Sequence, residues 1–358
     1  MTNANNRLLY LDSIRGIAAL TVVFSHFVER TPLYSFEVFK YFTPGQFGVV
    51  IFFLLSGFVI PFSFKDGPGA IKSFVTSRIF RLYPAYWLSV ALACISITFV
   101  LKIEIDAATI IANLTMLQTA LRKPDLFGVY WTLFTELIFY GMCATLYALG
   151  ALRRLDVRFT ASAIFLLCGL IGAFLRKYYA LSLPVGILIS LSLMFFGSVW
   201  REVALENSMR AKKMTGIWLA TFTAAFTVIA LLVYDFDRGH GESAASYIGS
   251  YITGIAFFIV MTTKIQLTNK VLVWLGAISY SAYLLHPFFL ELASKHFKIE
   301  QSFDISTLLV YLACTIALAS FSYLAIEKPS QKLGKVLFKA EPTTVPSRFK
   351  ERAAGENY

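Results

Sequence analysis

Leu8-Leu-Tyr-Leu-Asp12-Ser-Ile-Arg15-Gly-Ile-Ala-Ala-Leu-Thr-Val-Val-Phe-Ser-His26-Phe27-Val28 is long and apolar enough to cross a bilayer as one helix. It nevertheless carries Arg15 and His26 within it. At about 100° per residue the eleven steps between them come to about 1100°, within about 20° of three full turns, so both project from one helix face. They stand about 16 Å apart along the axis, roughly half the hydrocarbon thickness. An ionisable group at that depth costs about 2.5–3.5 kcal/mol or more unless it faces protein or water, which makes each a candidate for function. The alternative is that Arg15 snorkels to one membrane edge while His26 satisfies a structural hydrogen bond near the other.

The rest of the chain fits a membrane setting. The 358 residues are 57% apolar and 15% charged, with a mean hydropathy of +0.67, far from a soluble mix. The first stretch lacks a small-residue cleavage site and is expected to be retained. The fold expected is an all-α integral membrane protein with about ten transmembrane helices, near 8–28, 46–64, 82–101, 131–150, 159–176, 183–200, 214–233, 246–262, 272–294 and 305–326. A further stretch, 107–121, is short for a crossing and polar, with Asn113, Thr115, Gln118 and Thr119. With that stretch not crossing, a cytoplasmic N-terminus places 21 of the 32 Lys and Arg inside and ten outside, with Arg15 within the first span. Letting it cross would move the basic 151–158 and 201–213 loops and the tail outside, against the positive-inside bias. Both termini are therefore expected in the cytoplasm.

One transmembrane domain is expected over residues 1–328. Glu327-Lys-Pro329 is expected to break the last helix, leaving a disordered cytoplasmic tail over 329–358. The net charge of +11 falls in loops beside spans and points to the bilayer and not to nucleic acid. Cys94, Cys143, Cys168 and Cys314 all sit in apolar stretches without paired spacing. They read as buried hydrophobes, and no metal site is expected.

This topology gives the intramembrane polar groups a depth. His26, Glu136 in Trp131-Thr-Leu-Phe-Thr-Glu136, and His286 in Tyr280-Ser-Ala-Tyr283-Leu-Leu-His286 come from three helices at similar depth towards the outer leaflet. A histidine paired with a carboxylate serves as a general base; a structural hydrogen bond between helices is the alternative. On the cytoplasmic side, Arg15 is joined by Arg78 and Arg81, three residues apart and expected to open the third span. Paired guanidiniums at a helix start suit phosphate, although positive-inside anchoring also accounts for such residues.

In order along the chain, Arg15-x10-His26, Phe52-Phe-Leu-Leu-Ser56-Gly-Phe58, Arg78-x-x-Arg81-Leu-Tyr83-Pro84, Trp131-x4-Glu136 and Tyr280-Ser-Ala-Tyr-Leu-Leu-His286 resemble the membrane-bound acyltransferase-3 family. The resemblance runs from residue 8 to Glu327-Lys-Pro. It implies transfer of an acyl group, acetyl foremost, from acyl-CoA to a hydroxyl of a sugar, glycan or lipid-linked glycan in the bacterial inner membrane, as in the single-domain subgroup. Acyl-CoA would be a co-substrate, with no permanently bound cofactor. His26 would be the catalytic histidine, with Glu136 orienting it. Arg15, Arg78, Arg81 and Tyr83 would bind acyl-CoA. His286, Tyr283, Trp131 and Ser56 would bind acceptor or line the site. A polytopic exporter, which also lines a path with polar groups, and a non-catalytic polysaccharide-assembly partner are the rival classes.

Overall fold

The computed structural model describes residues 8–65, 67–234 and 243–337. Among these, every regular element is a helix. Hydrocarbon offers the backbone no partners, so a spanning segment must satisfy its own N–H and C=O groups, which a helix does. The chain runs α1 (Leu9–Val28), α2 (Pro44–Val59), α3 (Ala70–Ile95), a short α4 (Ala107–Leu114), α5 (Trp131–Ala148) and α6 (Leu155–Tyr179). It continues through α7 (Val185–Glu206), α8 (Met209–Val233), α9 (Ala244–Val260), α10 (Lys270–Phe297), α11 (Ile305–Ser322) and α12 (Lys328–Leu337). Ten helical runs among the described residues are long and apolar enough to cross a membrane, as expected.

The centre of the bundle is set by burial. The apolar stretches of α1, α2 and α7 are each 67% buried, against 33% for α6 and α8. The outer helices show bulky apolar side chains instead, such as Ile164, Leu167, Ile171 and Phe174 along α6, the surface a lipid-facing helix needs. Small residues let the central helices touch backbone to backbone. A Cβ placed on Gly16 of α1 would lie 2.8 Å from the Gly276 nitrogen of α10, and one on Gly276 would lie 1.9 Å from the Asp12 carbonyl oxygen. A Cβ on Gly57 of α2 would likewise strike the Met194 carbonyl oxygen of α7 at 1.7 Å, and one on Gly197 of α7 the Leu54 carbonyl oxygen of α2 at 2.3 Å. Contacts between α1 and α10 climb together, from Gly16 with Gly276 to His26 with His286 and Arg30 with Glu291, so the two helices are parallel.

The structure bears out one expectation and corrects three. The 107–121 stretch, expected not to cross, forms only the eight-residue α4, about 12 Å long against a hydrocarbon thickness of about 30 Å. Asp106 caps its start by accepting from the Thr109 N–H and hydroxyl, and Met116 at φ 60° turns the chain away. Its expected polar face is used internally. The Asn113 side chain donates to the Thr109 and Pro124 carbonyls, and Tyr83, Tyr86 and Trp87 of α3 donate to the carbonyls of Thr115, Asn113 and Leu114.

The third span begins at Ala70, twelve residues before the expected start, because its first three turns are too polar to register as apolar sequence. Arg78 and Arg81 are therefore inside the helix and not at its N-terminus. Similarly, α6 starts at Leu155, so Arg158 is not a loop charge. It is fully buried and donates to the Ser198 carbonyl and to Glu202 of α7.

Finally, Pro329 does not end the last span. A π-helical turn over Tyr323–Glu327 shifts the hydrogen-bond ladder, and Pro329 falls in the first turn of α12, where its missing N–H is tolerated. Ser330 donates to the Phe80 carbonyl, tying α12 to α3. The expected tail beyond residue 337 lies outside the described residues.

Candidate active site

The face of α1 that carries Arg15 and His26 lies against α10, and His26 there meets a second histidine. His26 Nδ1 is 2.8 Å from His286 Nε2, with ring centroids 5.0 Å apart. His286 is fully buried and its Nδ1 lies 3.2 Å from the Ala282 carbonyl oxygen one turn below. Tyr283 packs its ring edge-on to His286.

Two cavities flank this level of the bundle. The first is partly open and is lined by His26, Glu29, Arg30, Gln46, Trp131 and Glu291 among others. Arg30 bridges α1 to α10 at its mouth, donating to Glu291 at 2.6 Å and Ser294 at 3.2 Å. Ser25 donates to Glu29 at 2.5 Å and accepts from the Gly45 N–H, which fixes α1 to the start of α2.

The second cavity lies towards the Arg15 end and is lined by Arg15, Arg78, Arg81, Ser56, Glu136 and Tyr140 among others. Arg15 pairs with Asp12 at 2.8 Å. The Arg78 guanidinium sits over the rings of Phe74 and Tyr140, and its Nε is buried without a partner among the described residues. Three guanidiniums against Asp12 and Glu136 leave this cavity net positive, an environment suited to phosphate oxygens.

Val49 and Tyr283 line both cavities. Tyr283 is held at this partition, donating to the Val129 carbonyl at 3.2 Å and lying 2.9 Å from the Thr132 hydroxyl. Phe52 packs edge-on to its ring.

The expected residues distribute as follows. Arg15, Arg78 and Arg81 come together from two helices in one cavity. Trp131 lies in the His26 cavity and Ser56 in the arginine cavity, with Tyr283 between. Glu136 is not the partner of His26: it accepts from Ser56 at 3.1 Å and from Tyr140 at 2.5 Å. Five residues separate it from Trp131, about 7.5 Å of helix, and that drop carries it past the partition. Tyr83 lines neither cavity; its hydroxyl donates to the Thr115 carbonyl at 2.9 Å and anchors α4. His286 stands behind His26 and not in the cavity lining.

Sequence reading missed Glu29, Arg30, Gln46 and Glu291 at the mouth, and Tyr140 and Tyr280 on the arginine side. A signal for one pair existed: Arg30 and Glu291 follow their histidines by four and five residues, a little over one helical turn further along the chain, and carry opposite charges.

Comparison with known proteins agrees with the geometry. The putative acetyltransferase ORF330 of Acidianus two-tailed virus is 24% identical over 293 residues, covering 79% of this chain and 83% of that protein. Acyltransferase MdmB of Streptomyces mycarofaciens is 24% identical over 306 residues, 78% of each chain. Protein 2 in the picA locus of Rhizobium radiobacter is 39% identical over 93 residues, 24% of this chain and 44% of its own. No solved structure matches. Residues 8–327, from the start of α1 to the last residue of the π-helical turn, match the acyltransferase domain that defines the acyltransferase-3 family, and the chain belongs to that family as a membrane O-acyltransferase.

Proposed function

We propose that the protein moves an acyl group, acetyl foremost, from acyl-CoA to a hydroxyl of a sugar-containing acceptor such as an exopolysaccharide, lipopolysaccharide or other glycoconjugate. The observation that carries this reading is the pair of cavities sharing Val49 and Tyr283, one lined by three arginines and the other by His26. Acyl-CoA is a long, thin molecule with phosphates at one end and its reactive thioester at the other. The helical rise of about 16 Å from Arg15 to His26 suits its pantetheine arm.

In the proposed reaction, Arg15, Arg78 and Arg81 hold the phosphates and the thioester lies beside His26. The acceptor O–H gives its proton to His26 as its oxygen bonds to the thioester carbonyl carbon. The C–S bond then breaks, and the imidazolium returns the proton to the departing sulfur, releasing CoA thiol and an oxygen ester. Glu136, Ser56 and Tyr140 offer polar contacts to the arm on the arginine side. Trp131, with Gln46 and Glu29, offers the acceptor a flat apolar face with hydrogen-bond partners around it, the surface a sugar ring needs.

The excess of Lys and Arg in the loops on the Arg15 side supports placing that end, and both termini, in the cytoplasm of a bacterial inner membrane, where acyl-CoA is made. The name acyltransferase on one relative supports acyl transfer, and putative acetyltransferase on another supports acetyl as the group moved.

The test is thiol release from acetyl-CoA by purified protein in lipid discs, with a glycan and glycolipid extract of the source cells as acceptor pool. The expected result is acceptor-dependent release of CoA thiol, with new O-acetyl groups in the extract by mass spectrometry. Movement of glycan across sealed vesicles with no acetyl-CoA consumed would instead establish an exporter.

A further inference from the structure

His286 is fully buried, lines neither cavity and has no task in the chemistry above, yet it touches His26. Its own bonds dictate what it does there. The Ala282 carbonyl oxygen, 3.2 Å from His286 Nδ1, can only accept, so Nδ1 carries the hydrogen. A neutral imidazole has one N–H, so His286 Nε2 is left with a lone pair. The atom facing that lone pair at 2.8 Å is His26 Nδ1, which must therefore donate. The hydrogen of His26 is thus fixed on Nδ1, and the lone pair on Nε2. Among the described residues Nε2 has no hydrogen-bond partner, and His26 lines the cavity towards Trp131 and Gln46.

We infer that His286 is a positioning residue that fixes the tautomer and ring plane of His26 so that Nε2 is its basic nitrogen. The inference rests on His26 being the general base. Without His286, nothing on α10 would hold the hydrogen on Nδ1, and the tautomer with the hydrogen on Nε2 would remove the lone pair from the cavity side. In soluble hydrolases a carboxylate performs this service. An ionised carboxylate in the bilayer interior is costly, whereas a second imidazole does the same work without a charge. No proton passes to His286. When Nε2 takes the acceptor's proton, the Nδ1–H of the imidazolium keeps donating to His286 Nε2, a bond strengthened by the new charge. The ring relaxes when Nε2 protonates the leaving sulfur.

The experiment compares the full-length protein with His26→Ala, His286→Leu and His286→Gln, using acetyl-CoA and the same glycan extract. Leu removes the acceptor for Nδ1–H; the side-chain carbonyl of Gln restores one. His286→Leu is expected to lose about 10²-fold or more in kcat, since fixing a base's tautomer is worth up to about 10⁴-fold elsewhere. KM for acetyl-CoA is expected to stay within about twofold, because His286 does not line the arginine cavity and reaches it only through the Tyr283 ring. His286→Gln is expected to recover most of the loss, to within about tenfold of the parent.

A second readout needs no variant at His286. With ¹⁵N-labelled histidine, the His26 ring of the native protein, assigned from its absence in His26→Ala, should show a protonated Nδ1 and a bare Nε2. A native His26 protonated on Nε2, or a His286→Leu protein with the parent kcat, overturns the inference while His26→Ala remains inactive. An active His26→Ala overturns the general-base reading itself.

Discussion

Gly16 and Gly276 stand ten residues before His26 and His286 on two parallel helices, close enough that a Cβ on either would strike the other helix's backbone. The same face-to-face register therefore runs from the glycine contact to the histidine contact, about 15 Å further along. The closeness of the histidine pair is set a half-membrane away from it.

Gly276→Ala should accordingly behave as an active-site variant at a distance. Its new Cβ would fall 1.9 Å from the Asp12 carbonyl oxygen, and neither backbone can yield without moving a helix. Overpacking of this kind costs about 1–3 kcal/mol, read as a lower Tm in detergent. Thiol release should fall by more than stability alone explains, with KM for acetyl-CoA changed less than kcat. Gly186, with open space at its Cβ position, is the control, and Gly186→Ala should leave both unchanged.

Arg78→Ala and Arg81→Ala should act on the donor. Each removes a charge-assisted contact worth about 1.5–3 kcal/mol, so KM for acetyl-CoA should rise about tenfold to a hundredfold, with kcat at saturation nearly kept. Lys at either position keeps the charge and loses the bidentate geometry, giving an intermediate rise. Initial rates across acetyl-CoA concentrations decide this; a fall in kcat with unchanged KM would remove the arginines from phosphate binding.

Glu136→Gln separates the two cavities. Glu136 bonds Ser56 and Tyr140 below the Tyr283 partition, so its replacement should alter KM for acetyl-CoA while kcat stays within about threefold. A loss of kcat matching that of His26→Ala would return Glu136 to the proton-transfer site.

Two exposed caps predict an acid limit to stability. Hydrogen bonds from Thr109 hold the Asp106 carboxyl below the usual carboxylate range, and those from Ser306 and Thr307 do the same for Asp304 at the start of α11. A carboxyl lowered by folding stabilises the native state above its unfolded pKa, about 3.9 for Asp. That contribution is lost as pH falls through the lower folded value. Tm of the native protein should therefore drop below about pH 4, and an Asp106→Asn, Asp304→Asn double variant should show less of that drop. Thermal unfolding between acid and neutral pH measures it.

Much of this was legible in the sequence, and the misses share a cause. Span number and the placement of Arg15 and His26 on one face of the first span follow from length, apolar content and helical periodicity, which are properties of one segment at a time. That Arg15, Arg78 and Arg81 share an end follows from charge bias. The partner of His26 depends on which helix packs against α1, and no spacing within α1 or α10 encodes that. Depth placed Glu136 and His286 at similar levels, but a turn and a half of α5 separates the two cavities, finer than a depth estimate resolves. The start of the third span was hidden because Lys72, Arg78 and Arg81 make a helical segment look like a loop. The continuation through Pro329 depends on a π turn, which no residue type announces.

The central claim is that His26 takes the acceptor's proton, and the most direct measurement is the rate of acceptor-dependent CoA thiol release by His26→Ala in lipid discs at saturating acetyl-CoA. Loss of a general base costs about 10²–10⁴-fold, so release should fall to near background while KM-level binding of acetyl-CoA to the arginine cavity persists. Release at the parent rate by a folded His26→Ala protein would contradict the account.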